Sequence, residues 1–389
     1  MLSTERNRVR ELDGIRALAA IAVLLYHCGD IPTRALRYLA AGGWCGVDVF
    51  FVLSGFLITR LLVSELDRDG TISLPSFYLR RAARLYPAFV SAIILATAVA
   101  YLTWPGPPPG ARQFIYLFAY VQNFWLAFKY SPAMNGVILL WPAWSLCIEE
   151  QFYLLWPITL RKIGHQRAIP ALIVVIALTV LLRIACYLWI PSTWSQANIA
   201  GTRGEAFIYY FTLTRLDAIG VGCVLGLSVD RLNQSSRLLS RQALWIYLAI
   251  VAAMVSFGVH VHQFYYTVGA TVLAIGVGGV ICAIWLGRGN TLTRMLSAPP
   301  LVEIGRVSYG IYLFQVLPVL TDLRAYVPLA NIQMLVRIQW IIWAVSIFLI
   351  AELHYRFIEL RFLALRDRIG RSRLQRPAGN SSKLPTGES

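Results

Sequence analysis

Apolar residues run along this chain in ten long blocks set apart by short polar stretches. The blocks lie at about 12–28, 44–64, 77–103, 144–160, 168–190, 208–229, 243–260, 264–287, 307–323 and 335–359. Each is long enough to cross a bilayer as a helix, which takes about 17–25 residues. One further stretch, FIYLFAYVQNFWLAF at 114–128, is apolar and aromatic but short. It follows PGPPPG, a breaker that stops the helix before it. It reads either as another span or as an interfacial or re-entrant segment. A polar, basic stretch, MLSTERNRVRE, begins the chain, and SRLQRPAGNSSKLPTGES at 372–389 reads as a disordered cytoplasmic tail. The division expected is a membrane domain over 1–371 and that tail.

Charge separates the two readings of 114–128. If the segment does not span, the loops on the side of the N-terminus hold 24 Lys and Arg and the opposite loops hold 6. If it spans, every later loop changes side and the count becomes 11 against 19. Lys and Arg collect in cytoplasmic loops, so the sequence predicts ten spans with both termini cytoplasmic. The fold class expected is all-α, a polytopic transmembrane helical bundle.

Composition agrees. The chain of 389 residues is 58% hydrophobic and 14% charged, with mean hydropathy +0.61, where a soluble domain carries about 25% charged residues. Twelve Trp, nineteen Tyr and eighteen Phe suit interfacial aromatic belts. The formal net charge of +16 then reads as loop topology and not as a nucleic-acid surface. Asp13 and Arg16 interrupt the first apolar block, so no removable signal peptide is expected. The six cysteines (28, 45, 147, 186, 223 and 282) lack metal-type spacing, and no metal site is expected. Cys28 and Cys45 fall on the same predicted side of the membrane, but a disulfide between them is not expected.

The polar residues inside the blocks are the candidates for chemistry, because ionisable groups at membrane depth are costly. The first helix, LDGIRALAAIAVLLYHC, carries Arg16 and His27 eleven residues apart, which is about three turns, so both lie on one face roughly 16 Å apart. Counting depth from the helix ends puts His27, Asp48, Glu149, Glu150, Arg215 and Asp217 toward the outer side. It puts Asp13, Arg16, Arg80, Arg81 and Arg84 toward the cytoplasm. Arg81 and Arg84 share a face at i,i+3, and Arg80 and Arg84 at i,i+4, a fork suited to phosphate as well as to plain membrane anchoring. Asp13 and Arg16 can pair. Glu149 and Glu150 lie about 100° apart, so at most one points fully into a shared site. Glu352, His354 and Glu359 read most simply as interfacial, and His260 and His262 as loop residues.

These motifs resemble the acyltransferase family 3 membrane enzymes. The matching pieces are Arg16 and His27 with ten residues between, GVDVFFVLSGFLI (46–58), FYLRRAARLYP (77–87) with its R-x-x-R, WSLCIEEQFYLLWP (144–157), TRLDAIGVG (214–222) and GRVSYGIYLFQ (305–315). FIELRF (357–362) matches the late segment only in part, and Gln315 stands where many relatives would show histidine. The resemblance implies an integral O-acyltransferase of the bacterial cytoplasmic (inner) membrane. It would move an acyl group, often acetyl, from acyl-CoA to a hydroxyl of a sugar or polysaccharide acceptor, with no resident cofactor. Some relatives carry a soluble esterase-like domain after the helices, and this chain is expected to be a membrane-only member.

On that reading His27 is the catalytic base or acyl carrier, Arg16 its partner in the motif, and Asp48 or Glu149 the group that orients the ring. Arg81 and Arg84, helped by Arg80, hold the donor's phosphates. Glu150, Arg215 and Asp217 line the acceptor side, with Arg215 steadying an oxyanion or an acidic acceptor. The rival from another class is a transporter or flippase for a glycan or lipid-linked substrate, which would also show many helices and intramembrane charges. Oligomeric state is not legible.

Overall fold

The computed structural model describes residues 9–27, 34–103, 111–129, 140–189, 203–231, 241–260, 264–286, 291–315, 317 and 332–364. Cys28, His262, the boundary at 371 and the tail lie outside the described residues. Within them every regular element is helical.

Helix α1 (Arg10–His27) carries the histidine singled out above. A short α2 (Arg34–Ala41) leads into α3 (Cys45–Asp69), which closes on Gly70 in the left-handed region (φ 68) with its N–H returned to the Leu66 carbonyl. The turn into α4 (Leu74–Thr103) is locked by Glu65, which accepts from the Ser73 N–H (2.8 Å) and from Arg80 (2.9 Å). The 114–128 stretch forms two eight-residue helices, α5 (Ala111–Phe118) and α6 (Gln122–Lys129), hinged at Tyr120 with φ 52. Each is about 12 Å long, far short of a hydrocarbon core of about 30 Å.

The predicted helices at 144–160 and 168–190 both form, as the two arms of α7 (Ala143–Trp189), which meet at a kink. The expected loop at 161–167 is compressed to one residue. Gly164 adopts φ 70, ψ 166, a region essentially closed to residues with a β-carbon.

The block at 208–229 is not one helix. It divides into α8 (Arg203–Tyr210), a 3-10 turn (Thr212–Thr214) and α9 (Leu216–Ser228), with Arg215 between them at φ −126, ψ 3. The Thr214 hydroxyl bonds back to the carbonyls of Ile208 (2.7 Å) and Phe211 (2.6 Å). Local bonding of this kind competes with the helix ladder, and apolar blocks alone do not reveal it.

The chain continues through α10 (Arg241–His260), a π-turn (Tyr265–Gly269) running into α11 (Ala270–Leu286), α12 (Thr291–Leu296), α13 (Pro299–Arg306), α14 (Ser308–Phe314) and α15 (Ile332–His354), which ends in a second π-turn (Tyr355–Glu359). Among the described residues, five helices are long and apolar enough to cross a membrane: Cys45–Asp69, Leu74–Leu102, Ala143–Trp189, Tyr265–Leu286 and Ile338–Ala364. The outward surface is apolar as well. Along the second half of α7, Ile173, Val174, Leu178, Leu181 and Leu188 are exposed and Trp189 is 91% exposed, a continuous apolar face suited to lipid.

Two backbone-to-backbone contacts set the helix arrangement. α3 and α9 make the most extensive helix pair. A β-carbon at Gly55 would lie 2.1 Å from the Ile219 carbonyl oxygen, and one at Gly222 would lie 2.1 Å from that of Val52. α1 is held equally closely, since a β-carbon at Gly305 would lie 1.9 Å from the Asp13 oxygen and one at Gly14 2.1 Å from that of Leu296. Small residues at such crossings let membrane helices approach, where packing replaces the hydrophobic effect as the driving force. Gly55→Val is therefore expected to push α3 off α9 and cost about 1–3 kcal/mol. Thermal unfolding of the purified protein checks this: a melting temperature unchanged from wild type would overturn the crossing.

Candidate functional site

The polar residues of the interior gather in two clusters. The first lies where α1, α3, α4 and α7 meet. The Glu149 carboxylate accepts from the hydroxyls of Ser54 (3.0 Å) and Tyr153 (3.2 Å), and Tyr153 also donates to Ser54 (3.0 Å). The Arg81 guanidinium lies over the Tyr153 ring at 5.0 Å and the Phe77 ring at 5.8 Å. Arg81 and Arg16 are the cations whose charge bears on Glu149, and Arg81 faces Glu150 too. Arg16 itself reaches Asp13 at 3.3 Å.

The second cluster surrounds the broken helix. Asp48, in the first turn of α3, accepts from Arg215 Nη2 (2.7 Å) and from the Tyr265 hydroxyl (2.7 Å), while Arg215 Nη1 meets the same hydroxyl at 3.0 Å. Asp217 accepts from Arg183 (2.8 Å) and Thr271 (2.6 Å). All four charged side chains are 2% exposed or less. The same partners satisfy the backbone freed by the break. Arg183 donates to the Thr214 carbonyl (3.2 Å), and Asn123 donates to the Tyr210 carbonyl (3.2 Å) and the Thr212 hydroxyl (2.9 Å). Gln151 holds Asn123 (3.0 Å) and Thr212 (2.6 Å) in turn. Irregular backbone at membrane depth is tolerated only when it is met in this way.

His27 borders the second cluster. Its Nδ1 lies 2.8 Å from the Val23 carbonyl, and its ring meets Tyr26 edge-on at 5.1 Å. Tyr26 bears in turn on Tyr209, whose ring lies under Arg215. A carbonyl can only accept, so Nδ1 carries the proton and the lone pair of the neutral ring is on Nε2, with no hydrogen bond to it among the described residues.

The arrangement differs from the depth count in four ways. Glu149 and Glu150 join Arg16 and Arg81, not Asp48 and Arg215. They lie about 9 Å into α7 and Arg81 about 10 Å into α4, so groups assigned to opposite sides meet between the helix ends. Neither Asp48 nor Glu149 touches the His27 ring; its orienting partner is the Val23 carbonyl of its own helix. The arginine trio divides, with Arg80 engaged by Glu65, Arg81 turned inward and Arg84 exposed. His354 and Glu359 are buried and paired at 3.2 Å, not set out at an interface. Sequence reading missed Arg183, although a lone arginine deep in the apolar run 168–190 is a visible signal. It also missed Tyr265, Thr271, Asn123 and Gln151, which carry no signal of their own.

Breaking a buried pair by removing one partner costs about 3–5 kcal/mol, because it strands the other charge. Arg183→Met is expected to lose that much, and Arg183→Met combined with Asp217→Leu to regain most of it. A double variant no more stable than the single one, by thermal unfolding, would argue against a coupled pair.

Residues 9–353 match the family described as "Acyltransferase domain". Curated relatives include the peptidoglycan O-acetyltransferase OatA of Listeria monocytogenes, 32% identical over 368 residues that cover 91% of this chain and 56% of the relative. The O-acetyltransferase OatA of Staphylococcus aureus is 30% identical over 361 residues, covering 90% and 56%. The chain thus spans about half the length of the curated relatives it matches. No solved structure matches it.

Proposed function

The chain belongs to this acyltransferase family, and from that premise we propose that it moves an acetyl group from acyl-CoA to a hydroxyl of a sugar polymer across a bacterial cytoplasmic membrane. The observation that carries the reading is His27, with Nδ1–H tied to the Val23 carbonyl and Nε2 open. In that tautomer Nε2 takes the proton of the acceptor hydroxyl. The oxygen attacks the thioester carbonyl carbon, and the tetrahedral intermediate expels the CoA thiolate, which recovers the proton from the imidazolium.

Other residues follow from their contacts. Arg81 and Arg84 face the donor's phosphates, and Arg80 serves the α3–α4 turn. Arg16 and Glu149 line the donor's path toward His27. Arg215 has both terminal nitrogens engaged by Asp48 and Tyr265. It therefore positions the acceptor side without binding the oxyanion directly, together with Asp217, whereas Glu150 lies with Glu149 and Arg81 on the donor's path. Peptidoglycan, the acceptor in the Listeria relative's name, is the first candidate.

The topology proposed is ten spans with both termini cytoplasmic. The loop charge supports it, as do the two short helices over 114–128 and the break at Gly164, which leaves two lengths of α7 each able to cross. Family membership weighs for this enzyme and against a transporter or flippase.

Removing a general base typically costs 10²–10⁴-fold in rate. His27→Ala is expected to lower acetyl transfer by at least about 10² while the protein still inserts and melts as wild type does; transfer at the wild-type rate would refute the mechanism. Arg81→Ala with Arg84→Ala should raise the donor KM about tenfold or more, from the loss of charge-assisted contacts. A donor KM that did not move would remove the phosphate role.

A further inference from the structure

Gln315 is 1% exposed, and neither its Oε1 nor its Nε2 has a hydrogen-bond partner among the described residues. Buried polar side chains are nearly always satisfied, and an unmet one is costly in an apolar interior. Here both ends of one amide are unmet together.

The surroundings say what it faces. Gln315 follows α14 directly, and α14 packs against both α1 and α4. Tyr309 reaches the Leu85 carbonyl of α4 (3.3 Å), one turn beyond Arg81. Tyr312, three residues before Gln315 and on the same side of the helix, meets Ser145 (2.6 Å), the Pro142 carbonyl (2.8 Å) and the Phe50 ring (6.0 Å). Ser145 and Phe50 each lie one turn before a member of the first cluster, Glu149 and Ser54. Gln315 therefore presents an unpaired donor and acceptor one turn beyond Tyr312, on a helix packed against the two that carry Arg81 and His27.

A primary amide offers an N–H and a carbonyl oxygen side by side. One partner for it is a secondary amide, whose N–H donates to Oε1 while its carbonyl, trans to that N–H, points away. An acyl-CoA donor carries two secondary amides in the arm between its phosphates and its thioester sulfur. We propose that Gln315 is a donor-binding residue that pairs with one amide of this arm as it passes from Arg81 toward His27. The inference rests on the donor reading above.

The test is binding of coenzyme A, and of its nucleotide half adenosine 3′-phosphate 5′-diphosphate, to the purified full chain. Gln315→Met keeps the bulk and removes both polar atoms. Coenzyme A is expected to bind about tenfold more weakly to it, equivalent to about 1.4 kcal/mol, with the nucleotide half unaffected, whereas Arg81→Ala with Arg84→Ala should weaken both. Equal coenzyme A affinity in Gln315→Met and wild type would overturn the pairing and leave the donor reading standing. An equal loss for both ligands would mark Gln315 as merely structural and also overturn it. Wild type that binds neither ligand would overturn the donor reading and this inference with it. Should Gln315→Met fail to fold, wild type is tested against coenzyme A analogues with each amide in turn replaced by an ester. One of the two replacements must cost about tenfold; if neither does, the pairing is wrong.

Discussion

The structure depends on meeting the polar groups exposed where the helix breaks between Tyr210 and Leu216. The break frees backbone carbonyls and places Arg215 and Asp217 in an interior closed to bulk solvent. Each is met by a residue distant in sequence: Arg215 by Asp48 of α3, and the Thr214 carbonyl and Asp217 by Arg183 of α7. Buried ion pairs contribute little net stability, because desolvation offsets the attraction. Their effect is on arrangement. If α3, α7 or α9 slipped by a turn, a charge would be left bare at several kcal/mol. The glycine crossing of α3 on α9 permits the approach, and the charge pairs choose the register.

The same requirement governs the chemistry. Asp48 is occupied by Arg215 and Tyr265, and Glu149 by Ser54 and Tyr153, so His27 receives no carboxylate. Its ring is oriented by the fourth residue before it in the same helix. The polar interior thus separates into a part that holds helices together and a part whose groups remain reachable. Arg16, Arg81, Glu149 and His27 are all half-buried, whereas Asp48, Arg183, Arg215 and Asp217 are fully buried.

Much of this was legible in the sequence. Most of the apolar blocks form helices among the described residues, the break at Gly164 falls in the expected loop at 161–167, and Arg16 and His27 share α1. Loop charge argued that 114–128 does not span, and two helices of eight residues agree. What the sequence withheld was partnership. The 3.6-residue period says which residues share a face, not which foreign helix that face meets. Asp48 and Arg215 are 167 positions apart. The break at 211–215 was hidden for a related reason: Phe-Thr-Leu-Thr is apolar enough to continue a block, and only the Thr214 back-bonds and the Arg183 and Asn123 contacts stabilise its departure from the helix. Arg183 was visible as an anomaly, but without Asp217 opposite it had no assignable role.

The contact of His27 with its own helix has a consequence of its own. The Val23 carbonyl has two lone pairs, so it can accept the ring Nδ1–H as well as a backbone N–H one turn on. The ring is thereby clamped by a group that neither titrates nor moves without unwinding the helix. In the mechanism proposed, a carboxylate in the same place would compete with the acceptor hydroxyl for the ring and would itself need a buried partner. With Asp48 committed to Arg215, the Val23 carbonyl supplies the orientation without adding another ion to the interior.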